Sequence, residues 1–164
     1  MSRRTVRRTC SLTWPCETAN WGQIRISSFQ RTGRGRCVSD PGAVAIAYIE
    51  AVGRHDFDQV AALLHPDVQF ESPARNVAGA ADYIAALRRL APIMARNEIK
   101  TAIAEGNDVC VIYDFVTDTP VGAVPSVEWL TVQDGRIRNV RLIFHSQPWG
   151  AVIDELRRRV AAAA

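Results

Sequence analysis

Lysine is almost missing from these 164 residues: Lys100 is the only one, set against nineteen arginines. Such a bias, with many alanines, is what GC-rich bacterial coding produces. Long apolar runs are missing too. None approaches the ~18 residues that a membrane-spanning helix needs, so no membrane span is expected. Methionine is absent between Met1 and Met94. Cysteines are few, and three of the four (Cys10, Cys16, Cys37) fall in the first 37 residues. No C-x-x-C pair or Cys/His set at zinc spacing occurs, which removes the sequence grounds for a metal site, and no cofactor is expected. Cys110 lies in a strand-like run, where a small buried hydrophobe needs no further role. Nothing calls for an oxidising compartment, and a cytoplasmic location is expected.

Charge is divided unevenly along the chain. Residues 1–39 carry eight arginines and one acid, Glu17, whereas residues 40–164 carry eleven arginines and one lysine against sixteen acids. The formal +3 is thus a basic extension joined to a mildly acidic domain. A nucleic-acid partner would rest on the extension alone, and none is expected. Residues 1–39 also lack the apolar block of about 7–15 residues that a secretory signal requires. They read as a disordered or mis-annotated extension, with the natural start expected near Val38, just before "SDPGAV".

From residue 40 the periodicity becomes regular. Ser39 or Asp40 can cap a first helix with Pro41 in its first turn, running through "AVAIAYIEAV" to Val52. Asp56 can cap a second, with Phe57, Val60, Leu63 and Leu64 inward. "HPDVQFESP" then reads as a strand in which Val68, Phe70 and Ser72 share one face, and Gln69 and Glu71 the other. "AGAADYIAALRRLAPIMA" predicts a third helix with Ile84, Leu87, Ala91 and Met94 on one side, kinked or ended near Leu90 by Pro92. Strands follow: "EIKTAIAE", "VCVIYDFVTD", "SVEWLTV" and, after a "QDGR" hairpin turn, "IRNVRLIFH". Residues 148–164 form a last amphipathic helix with Trp149, Val152, Ile153, Leu156 and Val160 at helical spacing.

Helices first and strands after give an α+β fold, not α/β. Three N-terminal helices should pack in a curved antiparallel sheet, forming a cone-shaped domain over residues 40–147 that encloses one apolar pocket. Alternation turns Glu128, Leu130 and Val132 inward, with Val109, Val111, Tyr113 and Phe115, and with Val140, Leu142 and Phe144, on neighbouring strands. A one-residue slip would exchange Glu128 for Trp129.

The stretches "AYIEAVGRHDFDQVAALLHPDVQFESP" and "VEWLTVQDGRIRNVRLIF" together resemble the nuclear transport factor 2-like superfamily, which includes SnoaL-like cyclases and ketosteroid isomerases. The resemblance spans about residues 40–147. It implies that Tyr48 and Glu128 stand where the isomerases hold an oxyanion-hole pair, a tyrosine and a protonated acid. It also places Ser72 where the isomerases carry their base, so that role is unfilled. Phe70, Ser72, Tyr113, Phe115, Leu130, Val140, Leu142 and Phe144 should line the pocket, with His145, Arg75 and Asn76 as further candidates at its rim. Tyr48 can equally be a core tyrosine, and His145 an outer-face residue.

The superfamily hosts isomerases, lyases, cyclases and non-catalytic binders, so fold alone does not choose among them. One reading is a cyclase, lyase or isomerase acting on a small apolar carbonyl compound without the usual base. A second is a small-ligand-binding module, and a third a dimerisation domain. The outer sheet face, with Cys110, Ile112, Trp129, Ile143 and His145, suggests a homodimer surface.

Overall fold

The computed structural model describes residues 40–163, so the expectations for residues 1–39 lie outside the described residues. Helix α1 (Pro41–Gly53) begins where Asp40 accepts a hydrogen bond from the Gly42 amide and Pro41 fills its first turn. Its buried residues are Val44, Ala45, Tyr48, Ile49, Ala51 and Val52, so much of its surface enters the core. Asp56 caps the short α2 (Phe57–Leu63) by accepting from the Gln59 amide. Strand β1 (Leu64–Glu71) follows at once, with Val68 and Phe70 inward and Gln69 and Glu71 outward, as the alternation predicts.

Next come β2 (Asn76–Ala78), which the sequence reading did not foresee, and α3 (Ala80–Leu90). Helix α3 stops before Pro92, and a single 3-10 turn over Ala91–Ile93 leads into β3 (Met94–Glu105). Ala91 and Met94 therefore leave the helical stripe assigned to them. The face that α3 buries is carried by Tyr83 and Ala86, with Ile84 and Leu87 partly covered. Strands β4 (Asp108–Thr117), β5 (Ala123–Gln133) and β6 (Arg136–Phe144) complete a meander. Its last hairpin turns at Asp134 and Gly135, both at positive φ (51° and 75°), the conformation a two-residue turn demands.

The six strands form one sheet in the order β2-β1-β6-β5-β4-β3. All strands after residue 94 pair antiparallel and in sequence order. The antiparallel expectation fails at one seam, where β1 and β6 run parallel, Phe70 opposite Val140. The reason is topological: α3 carries the chain from β2 to the far edge, and the meander returns to meet β1 from the other side. One face of the sheet packs on α1, while Val109, Val111, Leu130, Val132, Ile137 and Val140 fill the core.

Helix α4 (Trp149–Ala162) packs onto the same unit rather than standing apart from it. Trp149 meets Phe115 and Phe144, and Val152 is fully buried. At the far end Arg159 bonds the Pro92 carbonyl, Asp118 and Glu155. Val160, expected on the inner stripe, is instead exposed. No described helix is long and apolar enough to cross a membrane.

Candidate functional site

Phe70 at the end of β1, Tyr113 and Phe115 on β4, and Leu142 and Phe144 on β6 surround a cavity of about 300 Å³. Tyr83, Leu87 and Leu90 of α3 close one side, and Trp149, Ile153 and Leu156 of α4 another. Its lining is apolar apart from a few groups: Glu128, Ser126, Tyr83, Tyr113, Ser72, Arg75 and Arg89. The volume lies at the small end of the range for small-molecule sites.

Glu128 is the one acid on that lining and is only 5% exposed. It sits on the inward side of β5, between Ser126 and Leu130, in the register that alternation predicts. The Tyr113 hydroxyl donates to Glu128 Oε1 at 2.7 Å from the neighbouring strand. Oε2 has no hydrogen-bond partner and is closed to solvent. Burial disfavours the carboxylate and pushes the Glu128 pKa up to about 7, while the Tyr113 hydrogen bond and the proximity of the Tyr48 hydroxyl pull it down. Tyr48 thus lies close enough to favour the charged form, although its clear hydrogen bond is made elsewhere, to Tyr83 at 2.5 Å.

The chain has three tyrosines, and all three gather around this acid. Tyr48 comes from α1, Tyr83 from α3 and Tyr113 from β4. Burial raises the pKa of each well above that of a free phenol, and the Glu128 charge raises each further. They therefore stay protonated, as donors. A buried acid in such a cage can hold a proton at neutral pH, release it, and recover it.

Several sequence-predicted residues fall elsewhere. Tyr48 does not line the cavity; it is fully buried behind it and acts there through Tyr83 and Glu128. Leu130 and Val140 belong to the packed core, not to the cavity wall, because the space beside them is filled. Asn76 lies exposed on β2, away from the cavity lining. His145 lies beyond the end of β6, exposed and outside the lining. Ser72 reaches the cavity, but its hydroxyl is taken up by the loop. It donates to the Arg75 carbonyl (2.9 Å) and accepts from the Arg75 (3.1 Å) and Ala74 (3.3 Å) amides. Ser72 is therefore a turn residue more than a ligand group.

Sequence reasoning missed Tyr83. Its signal was present: positions 83, 86, 87 and 90 keep helical spacing as well as the stripe first chosen. No Asp, His, Lys or Cys lines the cavity among the described residues, so no side chain there stands as a separate strong base. No cluster of three metal-ligating side chains occurs among them either.

No curated protein matches the chain. A solved protein of Kribbella flavida is 27% identical, covering 71% of this chain and 96% of that one, with a TM-score of 0.64. A steroid delta-isomerase of Pseudomonas aeruginosa is 21% identical, covering 76% and 94%, with a TM-score of 0.61. An LEH-like epoxide hydrolase of M. tuberculosis is 20% identical, covering 76% and 96%, with a TM-score of 0.59. The last two likenesses speak for the fold and not for the chemistry. The model of the SnoaL-like domain matches residues 45–140, the stretch that supplies all three tyrosines and Glu128. The chain belongs to the SnoaL-like domain family.

Proposed function

We propose that the cavity takes a compact apolar carbonyl compound and that Glu128 exchanges a proton with it, in a cyclase, lyase or isomerase type of reaction. The observation that carries this reading is a single acid buried among three tyrosines at the cavity, where burial pushes its pKa up to about 7. Neutral Glu128 can donate to a carbonyl oxygen, and the tyrosine hydroxyls spread the charge left behind. A ring closure through an enol needs only this one carboxyl group. Its proton goes to the carbonyl oxygen as the carbon–carbon bond forms, and the enol hydroxyl returns a proton to the carboxylate. Forming the enol from a ketone falls to the same group: in its ionised form Glu128 takes the proton beside the carbonyl, the step that deuterium exchange follows.

The test uses 1-tetralone and 1-naphthol as probes. Both should bind the parent, and Glu128→Leu should weaken both by about ten- to a hundredfold, the worth of a hydrogen bond to a charged or acidic group. Deuterium uptake beside the 1-tetralone carbonyl in D2O should be faster with the parent than with Glu128→Gln, by up to about 10²-fold, the lower end of general acid–base effects. Binding without any acceleration would favour the second reading, a ligand-binding module, which the closed position of Oε2 also supports. If neither probe binds, the proposal fails.

We also propose that two copies associate through the outer sheet face. Trp129, Ile143 and Ile103 are 50%, 54% and 61% exposed there, with Cys110 and Val127 between them. Large apolar groups concentrated in one patch favour a partner surface over free solvent. Light scattering should give twice the chain mass, falling to one chain in Trp129→Glu. A parent already at one chain mass would contradict it.

A further inference from the structure

Two arginines interrupt the apolar lining of the cavity. Arg75 comes from the loop between β1 and β2, and Arg89 from the last turn of α3. Both are exposed, and neither guanidinium makes an ion pair or hydrogen bond with a described residue. Among the other described arginines only Arg136, at the start of β6 and off the cavity lining, is likewise without a partner, and Arg138 meets His65. Arg54, Arg96, Arg141, Arg157, Arg158 and Arg159 each pair with an acid. Arg88, next to Arg89 in sequence, lies over the Phe57 ring instead. The Ser72 hydroxyl holds both the amide and the carbonyl of Arg75, so the loop presents this residue in a fixed turn.

The charges on the cavity wall are then two unpaired cations and one acid that is largely neutral below pH 7. Residues 40–164 as a whole carry more acids than bases, so bare cations here do not follow from a generally basic surface. A guanidinium fork matches a carboxylate through two parallel hydrogen bonds, and two such forks at a partly apolar rim favour an anion over a neutral group.

We propose that Arg75 and Arg89 bind a carboxylate carried by the ligand, while its carbonyl end meets Glu128. The ligand class is then an apolar oxo acid rather than a neutral ketone. This rests on the reading of Glu128 as the carbonyl-binding acid, and the test separates the two claims. Phenyl oxo-alkanoates of increasing chain length, and the methyl ester of each, are titrated calorimetrically against the full-length chain. The variants are Arg75→Ala, Arg89→Ala, the double variant and Glu128→Leu.

At one chain length the acid should bind about tenfold tighter than its ester, the order expected of charge-assisted contacts at a partly exposed rim. That preference should shrink in each arginine variant, vanish in the double variant, and weaken in high salt. Both acid and ester should lose affinity in Glu128→Leu. Equal binding of acids and esters at every length, or a preference that survives in the double variant, would overturn the arginine assignment and leave the Glu128 reading standing. If no acid and no ester binds, both fall together. The arginine side chains are exposed, so their replacement should leave the melting temperature near that of the parent.

Discussion

Glu128→Gln should make the folded chain more stable than the parent at about pH 8, and the advantage should fade by about pH 5. The direction follows from the raised pKa. In the unfolded chain Glu128 titrates near 4.5, and in the folded chain near 7. Between those values the folded state holds a proton that the unfolded state has released. The stability this contributes is fully present below about pH 4.5 and is lost as pH rises through about 7. A separation of roughly two and a half pKa steps corresponds to about 3 kcal/mol. Glutamine keeps the shape of the side chain, leaves an oxygen for the Tyr113 hydroxyl, and carries no charge to desolvate. Denaturant unfolding of both proteins at a series of pH values gives the difference directly, with the contributions of other carboxylates cancelling. A difference that stays flat across the range would contradict the account.

Removing residues 148–164 should cost on the order of 5 kcal/mol, from the loss of several large apolar side chains whose burial contributes about 1.5–3 kcal/mol each when complete. Val152 is fully buried, Trp149 packs against Phe115 and Phe144, and Ile153 and Leu156 form part of the cavity wall. Without α4 that wall is missing and Phe115 and Phe144 face water. The shortened chain should unfold at lower denaturant, bind a hydrophobic dye, and lose affinity for 1-tetralone even though Glu128 and the tyrosines are unchanged. Unaltered stability and dye binding would mean that α4 does not dock on the cavity. The family match ends at residue 140, so this wall lies beyond the matched stretch.

The parts of this site that sequence alone made legible share a short physical range. Asp40 and Asp56 cap their helices because an acidic side chain can reach amides two or three residues on. Period-two alternation placed Tyr113 and Glu128 on one face of adjacent strands, while their contact follows from the register, which sets Tyr113 opposite Ser126 and diagonal to Glu128. What could not be read depends on distant packing. Nothing local says that α3 carries the chain to the far edge of the sheet, so the parallel β1–β6 seam was out of reach. Helical spacing allowed two stripes on α3, and only the stop before Pro92 selects the one with Tyr83. Tyr48 lies near the acid but behind the cavity, and its hydroxyl bond to Tyr83 depends on where that second helix lands. Ser72 faces the predicted way, yet the turn after it claims the hydroxyl.

The central claim is that Glu128 is a neutral acid held at the cavity by a cage of tyrosines, and its own titration tests this most directly. Carbon NMR of the side-chain carboxyl in glutamate-labelled full-length chain, assigned by the resonance missing in Glu128→Gln, follows it across pH. The account predicts a midpoint near 7. It also predicts a further upward move in Tyr113→Phe, which removes the hydrogen bond favouring the carboxylate. A midpoint near 4.5, unmoved by Tyr113→Phe, would mean that Glu128 is a solvated carboxylate and not the acid of a buried site.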